Sequence, residues 1–460
     1  MLRPNILFLM TDQQRWDALG CSGGWVNTPN LDQIAKEGVR FANCVTTSPV
    51  CIPARLSLAT GLYPHNTGIW NNINHTMPVD TPTWMQVIRS VGYRTSLFGK
   101  THLHPHHGDL RDREGLMNSY GLDDVNEIGG PRASARVLSH MTADWQQKGV
   151  WKEYQDDYAE RFSNCPHVVR PSVVGLDNYA DVYVGQQAKK YLADYQYQQP
   201  WFCWVSFGGP HEPWDTPEPY ASMYKPEDMP PAIQPPKMDN LSLPTNELQK
   251  KIQRNTPISA EEAQRLRADY AGNIKLIDDQ IGQILETIRL RGELESTVIV
   301  FVSDHGEMNG DFGLIYKSNF LNGAVRVPLI VRTPKTVGQK TSQRVSHSPV
   351  EWIDIGPTLV ELAGGSINYH QHGKSLMTSL SNPDVEHRST AISELDGEIM
   401  LLDQEWKIVL NKNGEPYLLF DVQKDPNEIN NLVVNREHRN IVIHLRLKIL
   451  ERLMSTRTKR

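Results

Sequence analysis

Asn5-Ile-Leu-Phe-Leu-Met10 is a continuous apolar run that leads directly into Thr11-Asp12-Gln13. The same pattern returns at Val298-Ile-Val-Phe-Val302, which is followed by Ser303-Asp304-His305-Gly306. Short apolar runs bounded by polar residues are typical of strands that are buried on both faces of a parallel sheet. Two such strands are therefore predicted, each with a carboxylate immediately after its end.

Two further strands are predicted to end in polar residues. Tyr93–Phe98 precedes Gly99-Lys100-Thr101-His102, and Trp201–Phe207 precedes Gly208-Gly-Pro-His211. Ser259 to Leu290 has apolar residues at helical spacing and starts with a capping box, so a helix is predicted there. Strands that alternate with helices indicate an α/β sheet, in which ligands bind beyond the carboxyl ends of the strands. The four polar segments are expected to share one cleft.

The composition argues against two kinds of partner. The 460 residues include 47 basic and 53 acidic ones, so the net charge of −6 offers no basic footprint for nucleic acid or an anionic membrane. The apolar runs are far shorter than the roughly 20 residues of a spanning helix. The chain is expected to be soluble, without nucleic-acid or membrane partners, and the composition predicts no oligomeric state.

The N-terminus and the cysteines bear on the cellular compartment. Met1-Leu-Arg-Pro4 lacks the features of a signal peptide, so the chain as written is predicted to be cytoplasmic. Removal of an earlier leader would make it periplasmic or secreted. The chain has five cysteines, Cys21, Cys44, Cys51, Cys165 and Cys203. Their irregular spacing fits neither a disulfide framework nor a zinc site, so at least one thiol is expected to be free or modified.

The chain is predicted to contain a large domain, residues 1–374, and a smaller α+β subdomain, residues 375–460. Residues from about 103 to 200 are polar and weakly periodic, and residues 223–256 are rich in proline, so both are expected to be surface insertions that shape a pocket. A short antiparallel sheet and a terminal helix are predicted for the subdomain, from runs at Ala391–Leu395, Trp406–Leu410, Tyr417–Phe420 and about His438 to Met454.

The most specific stretch is Ser48-Pro-Val-Cys51-Ile-Pro53-Ala-Arg55-Leu-Ser-Leu-Ala-Thr-Gly61. Pro53 suits the first position of a helix and Gly61 suits its C-terminal end. Cys51 would then lie just before a short helix, whose free N–H groups attract an anion and lower the pKa of a thiol. An isolated cysteine beside a proline is more often a small buried apolar residue than a reactive one. The surrounding motif therefore decides between a structural and a catalytic role for Cys51.

Cys51-Ile52-Pro53-Ala54-Arg55, with Thr60-Gly61 after it, resembles the Cys-x-Pro-Ser/Ala-Arg signature of the type I sulfatases in the alkaline phosphatase superfamily. The resemblance implies an alkaline-phosphatase-like fold, with a large, mixed and mostly parallel sheet between helices and the catalytic site in residues 1–374. It covers essentially the whole chain, through Asn5–Gln13, Thr28–Asp32, Gly99–His102, Pro210-His211, Ser303–Glu307, Lys317, Arg326–Pro328 and Phe420–Leu432.

In that family a maturation enzyme oxidises the cysteine to formylglycine, an aldehyde that hydrates to a geminal diol. The resemblance therefore implies that Cys51 is the precursor of the nucleophile and that a formylglycine-generating enzyme is a partner. It also implies that Asp12, Gln13, Asp304 and His305, together with position 51, surround one divalent cation. Oxygen-rich ligands suit Ca²⁺, and Mn²⁺ or Mg²⁺ are the alternatives.

The resemblance assigns roles to the charged residues around position 51. One hydroxyl of the diol would attack sulfur with help from Asp304, while His211 and nearby Lys317 protonate the leaving alcohol oxygen. His102 would take the proton of the second hydroxyl as sulfate leaves. The diol oxygens and the anionic charge would be held by Arg55 and Lys100.

Two positions depart from the pattern of many family members, which have an Asp in place of Gln13 and an Asn in place of His305. The set found here resembles that of phosphonate monoester hydrolases, relatives that use formylglycine with a Mn²⁺-like metal. Pro226-Glu-Asp-Met-Pro230 resembles them too. Phosphonate monoester or phosphodiester hydrolysis thus stays open beside sulfate hydrolysis, and a catalytically inactive sulfated-glycan-binding protein is the alternative from another class.

The resemblance implies a sulfated polysaccharide or oligosaccharide as substrate, with an algal galactan such as carrageenan as one candidate. Trp70 and Trp214 are candidates for stacking on a sugar ring, although tryptophans are more often packing residues. His104 is a candidate substrate contact. The alternate spacing of His102, His104, His106 and His107 in a polar loop favours surface decoration or substrate contact over a metal cluster.

Overall fold

A computed structural model describes residues 3–164, 168–234, 258–334 and 344–457. Cys165 and residues 235–256 of the second predicted insertion lie outside these ranges. The strands are β1 Asn5–Thr11, β2 Val39–Val45, β3 Arg94–Gly99, β4 Asp124–Glu127, β5 Trp201–Ser206, β6 Thr297–Ser303, β7 Arg326–Val327, β8 Leu329–Arg332, β9 Arg344–Glu351, β10 Ala391–Leu395, β11 Glu398–Leu402, β12 Trp406–Leu410 and β13 Pro416–Asp421.

The helices lie between these strands and after the last of them. They are α1 Pro29–Glu37, α2 Cys51–Thr60, α3 Pro64–Thr67, α4 Trp84–Ser90, α5 Glu114–Ser119, α6 Gly130–Ser134, α7 His140–Lys148, α8 Trp151–Asn164, α9 Ala180–Ala193, α10 Ala260–Leu290, α11 Asn322–Val325, α12 Ile355–Leu362, α13 Met377–Ser381 and α14 Arg439–Ser455. Within the described ranges, no helix is both long and apolar enough to cross a membrane.

The main sheet has nine strands in the order β4-β3-β5-β1-β6-β8-β2-β7, and β9 pairs with β2. Strands β4, β3, β5, β1 and β6 are parallel to one another, while β8 runs antiparallel to both β6 and β2. The predicted mixed, mostly parallel sheet is therefore confirmed. The four strands predicted to end in polar residues, β3, β5, β1 and β6, are direct neighbours.

The register of these strands brings their ends to one level. Thr11 of β1 pairs with Ser303 of β6, and Gly99 of β3 pairs with Ser206 of β5. The residues that follow, among them Asp12, Lys100 and Asp304, therefore emerge along one edge of the sheet. This is the edge at which ligands bind in open α/β sheets.

Helices cover both faces of the main sheet. Alternate residues of β1 point to opposite faces, so Phe8 joins one apolar cluster with residues of α2, α4 and α12, whereas Leu9 joins another with residues of α1, α9 and α10. Full burial of such a side chain contributes roughly 1.5–3 kcal/mol. The sheet with its polar edge is thereby held between two packed layers.

Two helices differ in how well the sequence located them. Helix α10 has the predicted capping box, in which Ser259 Oγ accepts a hydrogen bond from the Glu262 N–H at 3.2 Å. Helix α2 begins at Cys51, two residues earlier than Pro53 suggested, and it ends at Gly61 in the left-handed conformation. Cys51 is therefore the first residue of the helix.

The C-terminal part contains the predicted antiparallel sheet, in the order β10-β11-β12-β13, and the terminal helix α14. Leu445 and Ile449 of α14 pack against Ile408 and Leu419 on one face of this sheet. The opposite face, which includes Phe420, packs against Phe312 and Phe320 and hence against the large part of the chain. The boundary between residues 374 and 375 stays a prediction.

Residues 103–200 are more than a surface insertion. They supply β4, which extends the main sheet, and α9, which packs against α10 through residues such as Val184 and Ala188. Among the described residues of this range, two stretches line a cleft, namely 104–107 and the segment from Gly129 to Arg136. The apolar periodicity of this range is weak because α9 also buries a charged residue, Asp181, and the packed helix was therefore not predicted. Asp181 accepts hydrogen bonds from the N–H groups of Gly208 and Gly209.

Candidate active site

Asp12, Cys51, Asp304 and His305 converge at the polar edge of the main sheet, and we call them the central cluster. Each is buried, and their ligand atoms all lie within 4.8 Å of one another. His305 Nε2 lies 3.1 Å from Cys51 Sγ and 3.8 Å from Asp12 Oδ1. Three distant parts of the chain thus meet in one constellation.

The hydrogen bonds of His305 set its ring so that it can bind a cation. Its Nδ1 lies 3.1 Å from the carbonyl oxygen of Gly306, which can only accept, so Nδ1 carries the proton. In the neutral ring Nε2 presents a lone pair toward Asp12 and Asp304, and a bound cation would take the place of the proton that these anionic neighbours favour there. Two carboxylates and one imidazole nitrogen, with the outer nitrogen held by a carbonyl, fit a divalent cation.

Arg55 lies between the two carboxylates of the central cluster. Its Nε donates to Asp304 Oδ2 at 2.7 Å and its Nη2 donates to Asp12 Oδ2 at 3.2 Å. Four residues after Cys51, it lies on the same face of α2. Burial and Cys51 would raise the pKa of Asp12, but Lys100, His211 and Arg55 outweigh them and lower it, which keeps the carboxylate ionised.

Gln13 lies next to the central cluster with its amide turned to other partners. Its φ of 68° is in the left-handed region, which costs a non-glycine residue free energy. Its backbone N–H donates to Asp304 Oδ1 at 3.0 Å, its Nε2 donates to Glu212 and Glu307, and its Oε1 accepts from Lys317 Nζ. The role of Gln13 as a metal ligand stays a prediction.

The surroundings of Cys51 are electropositive. Burial would raise the pKa of its thiol, but Lys100, Lys317 and His305 outweigh burial and hold it well below the ordinary value. Lys100 Nζ lies 4.0 Å from Sγ, and Lys100 also donates to Asp12. In the formylglycine form, oxygen atoms would stand where Sγ stands, so this environment favours an anionic oxygen.

His102, His211 and Lys317 reach the same space from three segments. Burial and the nearby charge of Lys100 hold the pKa of His102 well below its ordinary value, so the ring is neutral. His211 Nδ1 donates to the carbonyl oxygen of Glu212 at 2.8 Å, which leaves Nε2 as the nitrogen able to exchange a proton with a ligand.

These residues line a cleft of about 710 Å³ with Cys51 in its wall. The six residues predicted to be catalytic are thus near one another, five of them in the lining and Arg55 behind Cys51. The lining includes Cys51, Lys100, His102, His104, His211 and Lys317, together with Asn71, Asn72, Asn74, His107, Arg132, Arg136, Glu212 and Tyr316.

The two tryptophans predicted to contact a sugar lie outside this lining. Trp214 is only 1% exposed and stacks on Tyr316 with ring centroids 5.7 Å apart, so it packs behind the cleft wall. Trp70 is half-buried beside Asn71, which does line the cleft. The geometry does not support a stacking role for Trp214. His104 lies in the lining, and its role as a substrate contact stays a prediction.

Several site residues were missed at the level of sequence. Glu212 follows His211 directly, and its carboxylate contacts Gln13 and Arg132; the pair of titratable residues after a strand was the available signal. Arg132 lies in a segment without clear periodicity, so no signal pointed to it. Glu127 ends β4, an edge strand too short to be predicted.

A mixed, mostly parallel sheet with a cluster of potential metal ligands at its carboxyl edge is the arrangement of hydrolases in the alkaline-phosphatase-like superfamily. A structure of the phosphonate monoester hydrolase from Silicibacter pomeroyi is similar, with a TM-score of 0.82 and 25% identity over 99% of this chain and 96% of that chain. The model of the sulfatase family matches residues 4–366, and a model described as N-sulphoglucosamine sulphohydrolase, C-terminal, matches residues 310–455. The chain belongs to the sulfatase family, whose members hydrolyse sulfate esters.

Two curated relatives extend this likeness over nearly the full length. An arylsulfatase of Clostridium perfringens is 28% identical over 98% of this chain and 95% of its own length. An ulvan-active sulfatase of Formosa agariphila is 29% identical over 98% of this chain and 81% of its own length. The protein is thus an enzyme of the sulfuric ester hydrolase class.

Proposed function

We propose that the protein hydrolyses a sulfate monoester on a sulfated carbohydrate, with a nucleophile formed from Cys51 and one divalent cation. The observation that carries this proposal is the convergence of Cys51 with Asp12, Asp304 and His305 within 4.8 Å at a cleft that also exposes Lys100, His102, His211 and Lys317. A tetrahedral sulfate needs such a mixture of cationic contacts, proton donors and a nucleophile.

The central cluster would hold the cation. Asp12, Asp304 and His305 Nε2 are its candidate ligands, with Gln13 beside them, and the cation would act as a Lewis acid on the sulfuryl oxygens. Ca²⁺ is the family expectation, whereas the imidazole ligand favours Mn²⁺. Arg55 holds both carboxylates in place, because it donates to each of them.

The residues around position 51 would handle charge and protons. Formylglycine, made by a maturation enzyme, would supply a hydroxyl nucleophile. Lys100 lies close enough to stabilise negative charge on the oxygen atoms there. His102 is neutral and therefore suited to accept a proton, and His211 with Lys317 would donate one to the leaving oxygen.

A carbohydrate substrate fits the walls of the cleft. Asn71, Asn72, Asn74 and His107 line one side, and amide and imidazole groups are suited to sugar hydroxyls. The volume of about 710 Å³ is within the range of small-molecule sites. The ulvan-active relative supports a sulfated polysaccharide or oligosaccharide, and an algal galactan such as carrageenan is one candidate.

Phosphonate monoester or phosphodiester hydrolysis is the second candidate function. Gln13 and His305 beside the two aspartates are the observation that favours it, as is the similarity to the Silicibacter pomeroyi enzyme. A nitrogen ligand shifts metal preference toward Mn²⁺, and a larger anionic group can use the same cations in the cleft wall.

The test combines the state of position 51 with substrate preference. Peptide mass spectrometry measures the fraction of residue 51 converted to formylglycine, and kcat/KM is then measured for sulfated oligosaccharides, an aryl sulfate, a phosphonate monoester and a phosphodiester. We expect the highest kcat/KM for a sulfated saccharide, and Cys51→Ala, the matched control, should lose all turnover.

Each other result contradicts the proposal in a different way. A higher kcat/KM for the phosphonate or the phosphodiester would establish the second candidate. Binding of sulfated glycans without sulfate release by fully converted protein would identify a glycan-binding protein instead.

A further inference from the structure

We propose that His104, His106 and Glu127 form a second divalent-cation site, suited to Zn²⁺, in the wall of the cleft. These three residues are called the histidine cluster. Their ligand atoms lie within 4.8 Å of one another, and no residue is shared with the central cluster. This differs from the sequence-based expectation that the alternating histidines serve as surface decoration or substrate contacts.

Backbone carbonyls set the tautomers of both histidines. His104 Nδ1 lies 3.0 Å from the carbonyl oxygen of Pro105, and His106 Nδ1 lies 3.0 Å from that of Gly129. A carbonyl can only accept, so each Nδ1 carries a proton. In a neutral ring with this tautomer, Nε2 carries a lone pair. Metal-binding histidines have this same arrangement, with the other ring nitrogen donating to a carbonyl oxygen.

Both Nε2 atoms face the same carboxylate. His104 Nε2 lies 2.7 Å from Glu127 Oε2, and His106 Nε2 lies 3.4 Å from Glu127 Oε1. His106 Nε2 is buried and, among the described residues, has no hydrogen-bond partner. Without a metal, burial would lower the pKa of His104, but Glu127 outweighs burial and raises it, so a proton occupies the contact between these two residues and His106 Nε2 stays unsatisfied. A cation that displaces this proton would bind all three side chains and satisfy the buried His106 Nε2.

The residues around the histidine cluster support the same ligand geometry. The Thr101 hydroxyl donates to Glu127 Oε1, which fixes the carboxylate. The side chains of His104, His106 and Glu127 are 1%, 3% and 2% exposed, so the ligands are held by packing. Two imidazoles and one carboxylate are a common zinc set that leaves a fourth position for water or a ligand.

The fourth position would be on the side of the cleft. His104 and His106 both line the cleft, whereas Glu127 lies behind them. His106 packs against His102 with ring centroids 4.4 Å apart, so the second site would adjoin the first without sharing its ligands. An oxygen of a bound substrate could take the open position, which would make the cation a substrate contact.

The test measures metal stoichiometry and needs no activity. Metal-free protein is dialysed against Zn²⁺, and bound zinc per chain is measured by elemental mass spectrometry for four proteins: the wild type, His106→Gln, Asp304→Asn and the double variant. The matched control is His107→Gln, a neighbouring cleft histidine outside the histidine cluster. Circular dichroism checks that each variant is folded.

We expect two zinc ions per chain in the wild type and in His107→Gln, one in His106→Gln and in Asp304→Asn, and none in the double variant. With Co²⁺ in Asp304→Asn, the visible absorption of a four-coordinate site should appear and should be lost on adding His106→Gln. Equal zinc content in the wild type and His106→Gln would overturn the proposal. If Asp304→Asn fails to fold, the comparison of the wild type with His106→Gln decides alone.

Discussion

Arg55 is the residue on which the central cluster depends. It is fully buried and donates to both Asp12 and Asp304, so it neutralises two carboxylates that would otherwise repel each other. A single guanidinium can do this because its planar fork reaches two acceptors in fixed directions. A lysine would offer one point charge and leave one carboxylate without its partner.

We predict that Arg55→Ala lowers the free energy of unfolding by about 3–5 kcal/mol in metal-free protein, because it leaves buried charge unpaired. Added Ca²⁺ or Mn²⁺ should recover part of this loss, since a cation between the carboxylates replaces the missing charge. Urea unfolding with and without metal measures both effects. Arg111→Ala, at an exposed ion pair, is the control and should leave the free energy of unfolding nearly unchanged. An Arg55→Ala protein of wild-type stability would contradict this account.

Asp269 makes the stability depend on pH. It is buried, and burial together with nearby Asp215 raises its pKa to about 7. The unfolded chain loses this proton near pH 4, so between about pH 4 and 7 the folded state binds more protons and its stability falls as pH rises.

We predict that Asp269→Asn loses less stability than the wild type between pH 5 and pH 8, by about 2–4 kcal/mol, because its side chain has no charge to bury. An asparagine oxygen can still accept the Thr216 N–H, which lies 3.1 Å from Asp269 Oδ1. Thermal unfolding at several pH values measures the slope of stability against pH. The exposed Asp177→Asn is the control, and equal slopes in both variants and the wild type would disprove the assignment.

Strand and helix patterns, together with the resemblance carried by the Cys51–Arg55 motif, predicted much of this site, and only contacts in the folded chain identified the remaining residues. Asp12, Asp304 and Cys51 could be found because each stands next to a strand or helix with a clear pattern. Glu127, Arg132 and Glu212 could not, because their importance comes from partners that only folding brings near. The opposite held for Trp214, whose type suggested a sugar contact and whose burial excludes it from the cleft lining.

At the scale of elements, the turn after β3 sets the position of two site residues. Gly99 has φ of 115°, and a Cβ there would lie 1.8 Å from the carbonyl oxygen of Ser206 in β5. The next N–H, that of Lys100, donates to this same oxygen at 3.0 Å. The close approach of the two strands directs Lys100 and His102 into the cleft.

We predict that Gly99→Ala destabilises the protein by at least about 2 kcal/mol, since it adds both backbone strain and a clash with a strand. It should also lower kcat/KM, because Lys100 and His102 would shift. Gly115→Ala in α5 is the matched control: a Cβ there meets nothing within 4 Å, so stability should change by less than about 1 kcal/mol. Thermal unfolding and kinetics measure the two effects, and a Gly99→Ala protein like the wild type would refute the argument.

Strands and helices with a continuous apolar pattern were predicted from the sequence, whereas those with a mixed apolar and polar pattern were not. The apolar runs of β1 and β6 and the spacing in α10 were decisive because each element buries a continuous face. Short edge strands such as β4 and helices that bury polar groups such as α9 carry no such signal. Their positions are determined by contacts with distant segments, which a local pattern does not contain.

Across the whole molecule, the C-terminal sheet supports the segment that carries Cys51. The N–H of Glu394 in β10 donates to the carbonyl oxygen of Thr47, four residues before Cys51, at 2.8 Å. Glu351 at the end of β9 accepts from Tyr63 after α2 and from Arg452 of α14. These buried contacts join the two sheets, so we expect them to unfold together.

We predict that Arg452→Ala lowers the midpoint of this single transition, with a loss of about 2–3 kcal/mol, because Glu351 keeps only part of its hydrogen-bonded partners. Tryptophan fluorescence and far-ultraviolet circular dichroism should still report coincident transitions. Arg446→Ala, at an exposed position of the same helix, should leave the midpoint unchanged. Two separate transitions in the wild type would show that the C-terminal part unfolds on its own.

The pairing of Thr11 with Ser303 also determines where this enzyme can be changed. Side chains alternate along a strand, so one added residue in β1 or β6 would turn its terminal carboxylate to the wrong face. The loop 71–74 and the segment 129–136, which contains α6, lie outside that pairing. Substrate preference can therefore be redesigned in these two segments, by selection or in the laboratory, while the length of both strands must be conserved.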